Sequence, residues 1–247
     1  MSKPTTLIYG IHPIEEALSA KRSIEKIFVL KGGRTDAFKN IVTLAKELAV
    51  PVQGVPMEML DRITNNGAHQ GIAAKVSPVD FVDWRDIVNH VFAEGETPLL
   101  LVCDSITDVR NLGAIARTAF AAGVHVMIVP SHGFASFTPE AVKASAGALQ
   151  KIHVARESDL VKAVKEMRSY GIQTIVADAA GTEFPSAVDM KLPTAIIMGS
   201  EDEGADKNIL RFSTHLVKLP MPGDIDSYNV SVACGMMLYE VMRQRLG

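Results

Sequence analysis

The chain has 247 residues, 47% apolar and 21% charged, enough apolar material for a sizeable core and too much for a disordered polymer. Lys and Arg total 25 against 28 Asp and Glu, a net charge of -3. That balance excludes a strongly basic coat protein holding nucleic acid by bulk charge, but not an enzyme with a local basic surface.

Cys103 and Cys234 lie far apart with no Cys-x-x-Cys spacing and no His neighbours, so neither a disulfide scaffold nor a metal site is expected. The N-terminus has no long apolar segment, and runs such as Leu99–Cys103 are too short to span a bilayer. A cytoplasmic protein without a membrane partner is the expectation.

Charge divides the chain into three zones. Residues 1–76 carry 10 basic and 7 acidic residues, net +3. Residues 77–97 carry Arg85 against Asp80, Asp83, Asp86, Glu94 and Glu96, net -4. Residues 98–247 carry 14 basic and 16 acidic residues, net -2. We read domains at 1–76 and 98–247 joined by an acidic connector, whose Trp84, Ile87, Val88, Val91 and Phe92 predict a short docked helix.

In the first zone Ile24–Leu30 reads as a strand. The stripe Phe38, Ile41, Val42, Ala45 and Leu48 reads as a helix halted before Pro51, with strands at 51–55 and 71–76. In the second zone Leu99–Cys103 is a continuous apolar strand of the kind a parallel sheet covers on both faces. A helix at 112–122 ends at Gly123, and a strand at 124–129 and a helix at 138–147 follow. Ser158 is placed to cap a helix carrying Leu160, Val161, Val164 and Met167, which ends at Gly171. Strands at 172–177, 194–198 and 216–219 precede a final helix at 227–246. The fold class is therefore α/β, with a doubly wound parallel sheet in the C-terminal domain.

Ligands of such sheets bind beyond the carboxyl ends of the strands. No Gly-x-Gly-x-x-Gly follows a strand, and neither a P-loop nor a Gly-x-Ser-x-Gly elbow is present. What remains is loop backbone in three segments. In the first, 104–113, Asn111 is a good N-cap, and Arg117 follows about 240° around a helix, so the two converge only if Asn111 lies in the loop. Ala114, Ala116 and Ala119 there point to close packing. The second, 199–204, holds three acids between glycines; composition alone reads as a solvated turn, and its place after a strand favours a site. In the third, 220–229, Asp226 or Ser227 can cap the final helix, whose Val230, Val232, Ala233, Met236, Met237, Leu238, Val241 and Met242 cover nearly every face, the pattern of a buried element.

Together Asn111-Leu112-Gly113-Ala114 with Arg117, the Gly199-Ser200-Glu201-Asp202-Glu203-Gly204 loop, and Ser227-Tyr228-Asn229-Val230-Ser231-Val232-Ala233 resemble the three signature motifs of the SpoU/TrmH family of RNA ribose 2′-O-methyltransferases. Tyr9-Gly10-Ile11-His12-Pro13-Ile14-Glu15-Glu16-Ala17-Leu18 and His69-Gln70-Gly71-Ile72-Ala73-Ala74 resemble the family's L30-like RNA-binding domain. The resemblance implies S-adenosyl-L-methionine as methyl donor, a C-terminal trefoil knot and a homodimer packed through the C-terminal domain. It implies a cofactor cradle at Met198, Gly199, Leu219, Met221 and Tyr228, and a catalytic cluster of Asn111, Arg117, Glu201, Ser227 and Asn229. The N-terminal extension favours rRNA, and within it the large-subunit guanosine branch, over tRNA; an RNA-binding protein without catalysis is the alternative from another class. Val109 stands where the family usually has Pro, and Tyr228 replaces the common Leu, its phenol placed to close on the adenine. His69 reads as a residue that orients a loop, and His12 before Pro13 as a helix entry.

Overall fold

The computed structural model describes residues 7–32, 36–200, 204–224 and 227–247. It divides into one unit of residues up to Asp80 with Phe137–Pro139, and a second of Phe81–Ser136 with Glu140–Gly247.

The first unit contains β1 (Leu7–Tyr9), α1 (Ile11–Ser19), β2 (Ile24–Leu30), α2 (Asp36–Glu47), β3 (Val52–Val55), α3 (Met57–Thr64) and β4 (Ile72–Val76). Its strand order is β1-β4-β2-β3, with β4 antiparallel to both neighbours and β2 parallel to β3. One face of this mixed sheet sends Ile27, Ile72 and Ala74 against Ile14 and Leu18 of α1 and Ile41 and Ala45 of α2. The other sends Ala73 and Val55 against Leu60 of α3. Sequence periodicity missed β1, too short for alternation to register, and α3, only eight residues long.

The second unit contains β5 (Phe81–Val82), α4 (Trp84–Ala93), β6 (Leu99–Cys103), α5 (Val109–Ala121), β7 (Val126–Pro130), α6 (Pro139–Ala144), β8 (His153–Glu157), α7 (Leu160–Ser169), β9 (Gln173–Ala177), β10 (Thr194–Met198), α8 (Lys207–Phe212), β11 (His215–Val217) and α9 (Val230–Leu246). The sheet order is β11-β9-β10-β6-β7-β8-β5, every pair parallel. Leu99–Cys103 and Thr194–Met198 are buried along their whole length, which is why both read as unbroken apolar runs. Residues of α4, α7 and α8 pack on one face against Leu100, Val102, Val126, Ile128 and Ile197. On the other side α9 packs against β10 and α5. Chain order reverses between β6 and β10: β7 and β8 lie to one side, β9 and β11 to the other.

From Phe81 onward, the acidic segment is built into this unit. Trp84 is fully buried, its indole N–H donating to Glu157 at 2.8 Å and its ring meeting Tyr170 edge-on at 5.4 Å. Arg85 forms a bidentate pair with Glu166, both bonds 2.6 Å, and reaches Glu157 and Asp83. That guanidinium holds the Glu166 carboxyl below the usual carboxylate range. Burial pushes the Cys103 thiol up and that of Cys234 to about 12, so both are poor nucleophiles.

Helix boundaries shift where two capping residues compete. Asp159, not Ser158, caps α7 by accepting from Lys162 N at 2.9 Å. Gly123 and Gly171 do follow their helices in the left-handed region, at φ 75° and 71°. The helix expected at 138–147 is the shorter α6 followed by a 3-10 turn at Ala148–Gln150. The strand β8 was not expected, because His153, Arg156 and Glu157 interrupt its apolar signal.

Candidate active site

A cavity of about 840 Å³ opens beyond the carboxyl ends of β9, β10 and β11, where the topology of an open parallel sheet places a ligand. Its walls come from four stretches: Ala177–Ala179 and Phe184 after β9; Met198, Gly199, Ser200 and Gly204 after β10; Lys218–Pro222 after β11; and Ser227, Tyr228, Val230 and Ala233 at the start of α9.

Glycine makes the close approaches possible. A Cβ on Gly199 would lie 2.1 Å from the Ala205 nitrogen, so the chain can turn back on itself there only without a side chain. Ser200 and Gly204 exchange backbone hydrogen bonds of 2.9 and 3.2 Å, closing that loop. A Cβ on Gly181 would stand 2.4 Å from the Val217 carbonyl carbon, where the segment after β9 runs beside β11. Asp104, at the end of β6, accepts from Asp206 N at 2.8 Å and so ties the returning end of the loop to the switch point.

The third segment closes on itself through Tyr228. Its hydroxyl donates to the Pro220 carbonyl at 2.9 Å, linking the approach to α9 with the segment after β11. The phenol thus closes on backbone of its own chain. Asn229, not Ser227, caps α9: its Oδ1 accepts from Ser231 N at 3.0 Å. Its Nδ2 donates to Asn111 Oδ1 at 3.0 Å, across 118 positions of sequence. Asp226, the other expected cap, lies outside the described residues.

Asn111 does not cap α5. Asp108 does, accepting from Arg110 N at 2.7 Å and Asn111 N at 3.0 Å, and these two bonds hold its carboxyl below the usual range. Asn111 therefore sits in the first turn of α5, and Arg117, on the same helix, is rotated away from it. Arg117 is exposed, and its side chain makes no hydrogen bond or ion pair among the described residues. The structure brings together Asn111 and Asn229 beside Ser227, and leaves Arg117 apart; Glu201 lies outside the described residues. Met198, Gly199, Leu219, Met221 and Tyr228 all line the cavity.

Sequence reading passed over the wall after β9, where Asp178 and Phe184 face the cavity. The signal was positional: Asp178 is the first residue beyond a parallel strand. Close packing at α5 was foreseen through its alanines, and Gly113 is a further close approach, where a Cβ would meet Ala144 Cβ at 2.4 Å. Nor is α9 buried all round: Val232 (49% exposed), Met236 (39%) and Tyr239 (62%) form an open stripe at helical spacing.

The donor set suits an adenosyl group with a charged tail. Apolar walls from Met198, Ala177, Val230 and Ala233 can take the purine, while backbone freed by Gly199 and Gly204 and the polar groups of Asp178, Ser200 and Ser227 can meet hydroxyls and an ammonium. Among the described residues no cluster of three His, Cys, Asp or Glu could hold a metal ion, and no helix is long and apolar enough to cross a membrane.

Comparison with known proteins is consistent in both units. Residues 98–239 match the SpoU rRNA Methylase family, and residues 7–82 match the family described as RNA 2′-O ribose methyltransferase substrate binding. A protein of Bacillus subtilis (strain 168), YacO, assigned by name to the TrmH family of tRNA/rRNA methyltransferases, is 33% identical over 99% of this chain and 98% of its own length. Among solved structures, an AdoMet-bound rRNA methyltransferase from Sinorhizobium meliloti shares the fold with a TM-score of 0.61 and 24% identity, covering 98% of this chain and 88% of the other. The SpoU methyltransferase AviRb from Streptomyces viridochromogenes does so at 0.60 and 22%, covering 98% and 90%.

Proposed function

We infer the reaction and its residues from one premise: this chain belongs to the SpoU rRNA methylase family. It is an S-adenosylmethionine-dependent RNA ribose 2′-O-methyltransferase. Our reading is that its substrate is rRNA rather than tRNA, at a guanosine ribose of the 23S large-subunit rRNA, and that residues 1–76 select the RNA while 98–247 transfer the methyl group, with the acidic connector 77–97 between them. The rRNA methylase family matched over residues 98–239 supports that preference, and the substrate-binding match over residues 7–82 supports RNA selection by the first zone. The observation that carries the site is the Asn111–Asn229 hydrogen bond at the rim of the cavity, which brings two of the sequence motifs together beside the third.

S-adenosylmethionine supplies an electrophilic methyl group when bound. We assign its adenosyl part to Met198, Gly199, Leu219, Met221 and Tyr228, in the family's knotted arrangement of the chain. The chain itself must hold the ribose oxygen within about 3–3.5 Å of the carbon it attacks, and the 2′-hydroxyl must give up or share its proton as the bond forms. The Arg117 guanidinium has five N–H donors and no acceptor, which suits charge stabilisation rather than proton abstraction. Its role in this reading is to hold the RNA phosphate and the developing negative charge on the 2′-oxygen, with Asn111, Glu201, Ser227 and Asn229 positioning the reacting groups.

Because Arg117 stands apart from Asn111 within one chain, we propose that the working unit is a homodimer of the C-terminal domain. The open stripe Val232, Met236 and Tyr239 on α9 supports this.

The test is transfer from labelled S-adenosylmethionine to separately purified 23S rRNA, 16S rRNA and tRNA from cells lacking the enzyme, followed by mapping of the methylated ribose. Label on a 23S guanosine is expected; label on tRNA alone overturns the substrate. In single-turnover assays Arg117→Ala and Arg117→Lys should both fall well below wild type, and near-wild-type rates in both would remove Arg117 from the mechanism.

A further inference from the structure

The first unit leaves part of one sheet face open, and its side chains are of two kinds. Strand register places Tyr9, Ala73, Phe28 and Gln53 side by side in one row across β1, β4, β2 and β3. The next row on that face, two residues along and so about 7 Å away, is Leu7, Lys75 and Lys26. Leu60 of α3 covers Ala73 and Val55, with Phe28 and Leu30 beside them. Tyr9, at the edge, stays 39% exposed, and Lys26 and Lys75 are half-buried.

The Tyr9 ring is held in place. A Cβ on Gly67 would lie 2.7 Å from both Tyr9 Cζ and its hydroxyl oxygen, so the phenol end of the ring rests on bare backbone. The loop beneath it is pinned from two sides: His69 Nδ1 accepts from Gly71 N at 3.0 Å, and His69 Nε2 lies 3.0 Å from Asp61 Oδ1. Asn65, Asn66 and Gln70 all take left-handed backbone conformations in this loop, at φ 52°, 56° and 53°. Gln70 Oε1 in turn accepts from Ile11 N at 3.0 Å, fixing the start of α1 against the same loop. The aromatic surface is therefore rigid before any ligand arrives, which lowers the ordering cost of binding.

Building on the RNA reading of residues 7–82, we propose that this face binds an unpaired segment of the RNA, with one nucleobase stacked on Tyr9 and its neighbouring phosphates facing Lys26 and Lys75. Three features choose that occupant. An exposed aromatic ring stacks any base, because every base has a π-face. Ammonium groups one row away complement phosphates, and residues 1–76 carry a net charge of +3. A base stacked on Tyr9 must be splayed out, which fits single-stranded loops rather than duplex. Lys75 also pairs with buried Glu25 at 2.9 Å, so Lys26 is the better charge to remove.

The experiment uses the full chain and an unstructured RNA oligonucleotide carrying 2-aminopurine, whose fluorescence is quenched by stacking. Wild type and Tyr9→Phe should bind and quench alike. Tyr9→Leu should bind about 5- to 150-fold more weakly and lose the quench, with melting temperature and S-adenosylmethionine affinity unchanged. Lys26→Ala should keep the quench and reduce the salt dependence of binding by about one phosphate contact. Wild-type binding and quench in Tyr9→Leu overturn the platform, as they would if the face served a protein partner instead. Should Tyr9→Leu melt early, an unchanged salt slope in Lys26→Ala overturns it independently. Methyl transfer to rRNA by wild type is scored apart: its failure beside Tyr9-dependent binding overturns the proposed reaction and supports the platform.

Discussion

The sheet of the first unit keeps part of one face open beside α3, with Tyr9 exposed at its edge, whereas the central strands of the second unit's sheet are buried on both faces. The difference dictates where each can meet a ligand. A half-covered mixed sheet can present rows of side chains, so recognition there is written in residues such as Tyr9 and Lys26. A parallel sheet covered on both faces has only its ends, so its cavity is built from loops, and backbone does much of the work. Glycine serves each differently: Gly67 makes room for an aromatic ring, while Gly199 makes room for the chain's own return.

Four changes would break or sharpen that contrast. The largest is Trp84→Ala, which empties a fully buried site beneath the second sheet and should lower stability by about 3–5 kcal/mol in denaturant unfolding. Gly199→Ala comes next. Its Cβ would collide with Ala205 N, displacing the loop after β10, and kcat/KM should fall by about 100-fold, whereas RNA binding through the first unit should survive. Equal loss of both would show that the units are not separable in function.

Asn229→Ala removes a helix cap and the bond to Asn111, and should cost about 1 kcal/mol of stability with a fall in kcat. Smallest is Glu166→Gln. Arg85 holds the Glu166 carboxyl below its ordinary range, so the pair's stabilisation is present above the unfolded value of about 4.3 and is lost as pH falls through the lowered folded value. The variant should lose about 1 kcal/mol at neutral pH and show a flatter acid limb in thermal melts.

What could be read in advance follows the same division. Leu99–Cys103 and Thr194–Met198 announced themselves because burial on both faces demands unbroken apolar runs. His153–Glu157 did not, since its ends are polar, and Phe81–Val82 is too short for any period. The three loops of the site were legible as polar segments after strands, and the family resemblance tied them together. The pairing of Asn111 with Asn229 was not, because it depends on how α5 packs against α9, a contact between residues 118 positions apart. Caps were ambiguous wherever two suitable residues stood close: Asp108 and Asn111 both qualify, and only the start of the helix at Val109 decides between them. The wall at Asp178 and Phe184 needed the sheet order, since β9 borders β10 although α8 and β11 follow later in the chain.

The Tyr228–Pro220 hydrogen bond has a kinetic consequence. One exposed bond of this kind is worth only about 0.5–1.5 kcal/mol, so the latch between the segment after β11 and the approach to α9 is a weak one. The cavity wall after β11 can therefore part from the approach to α9 without unfolding any strand.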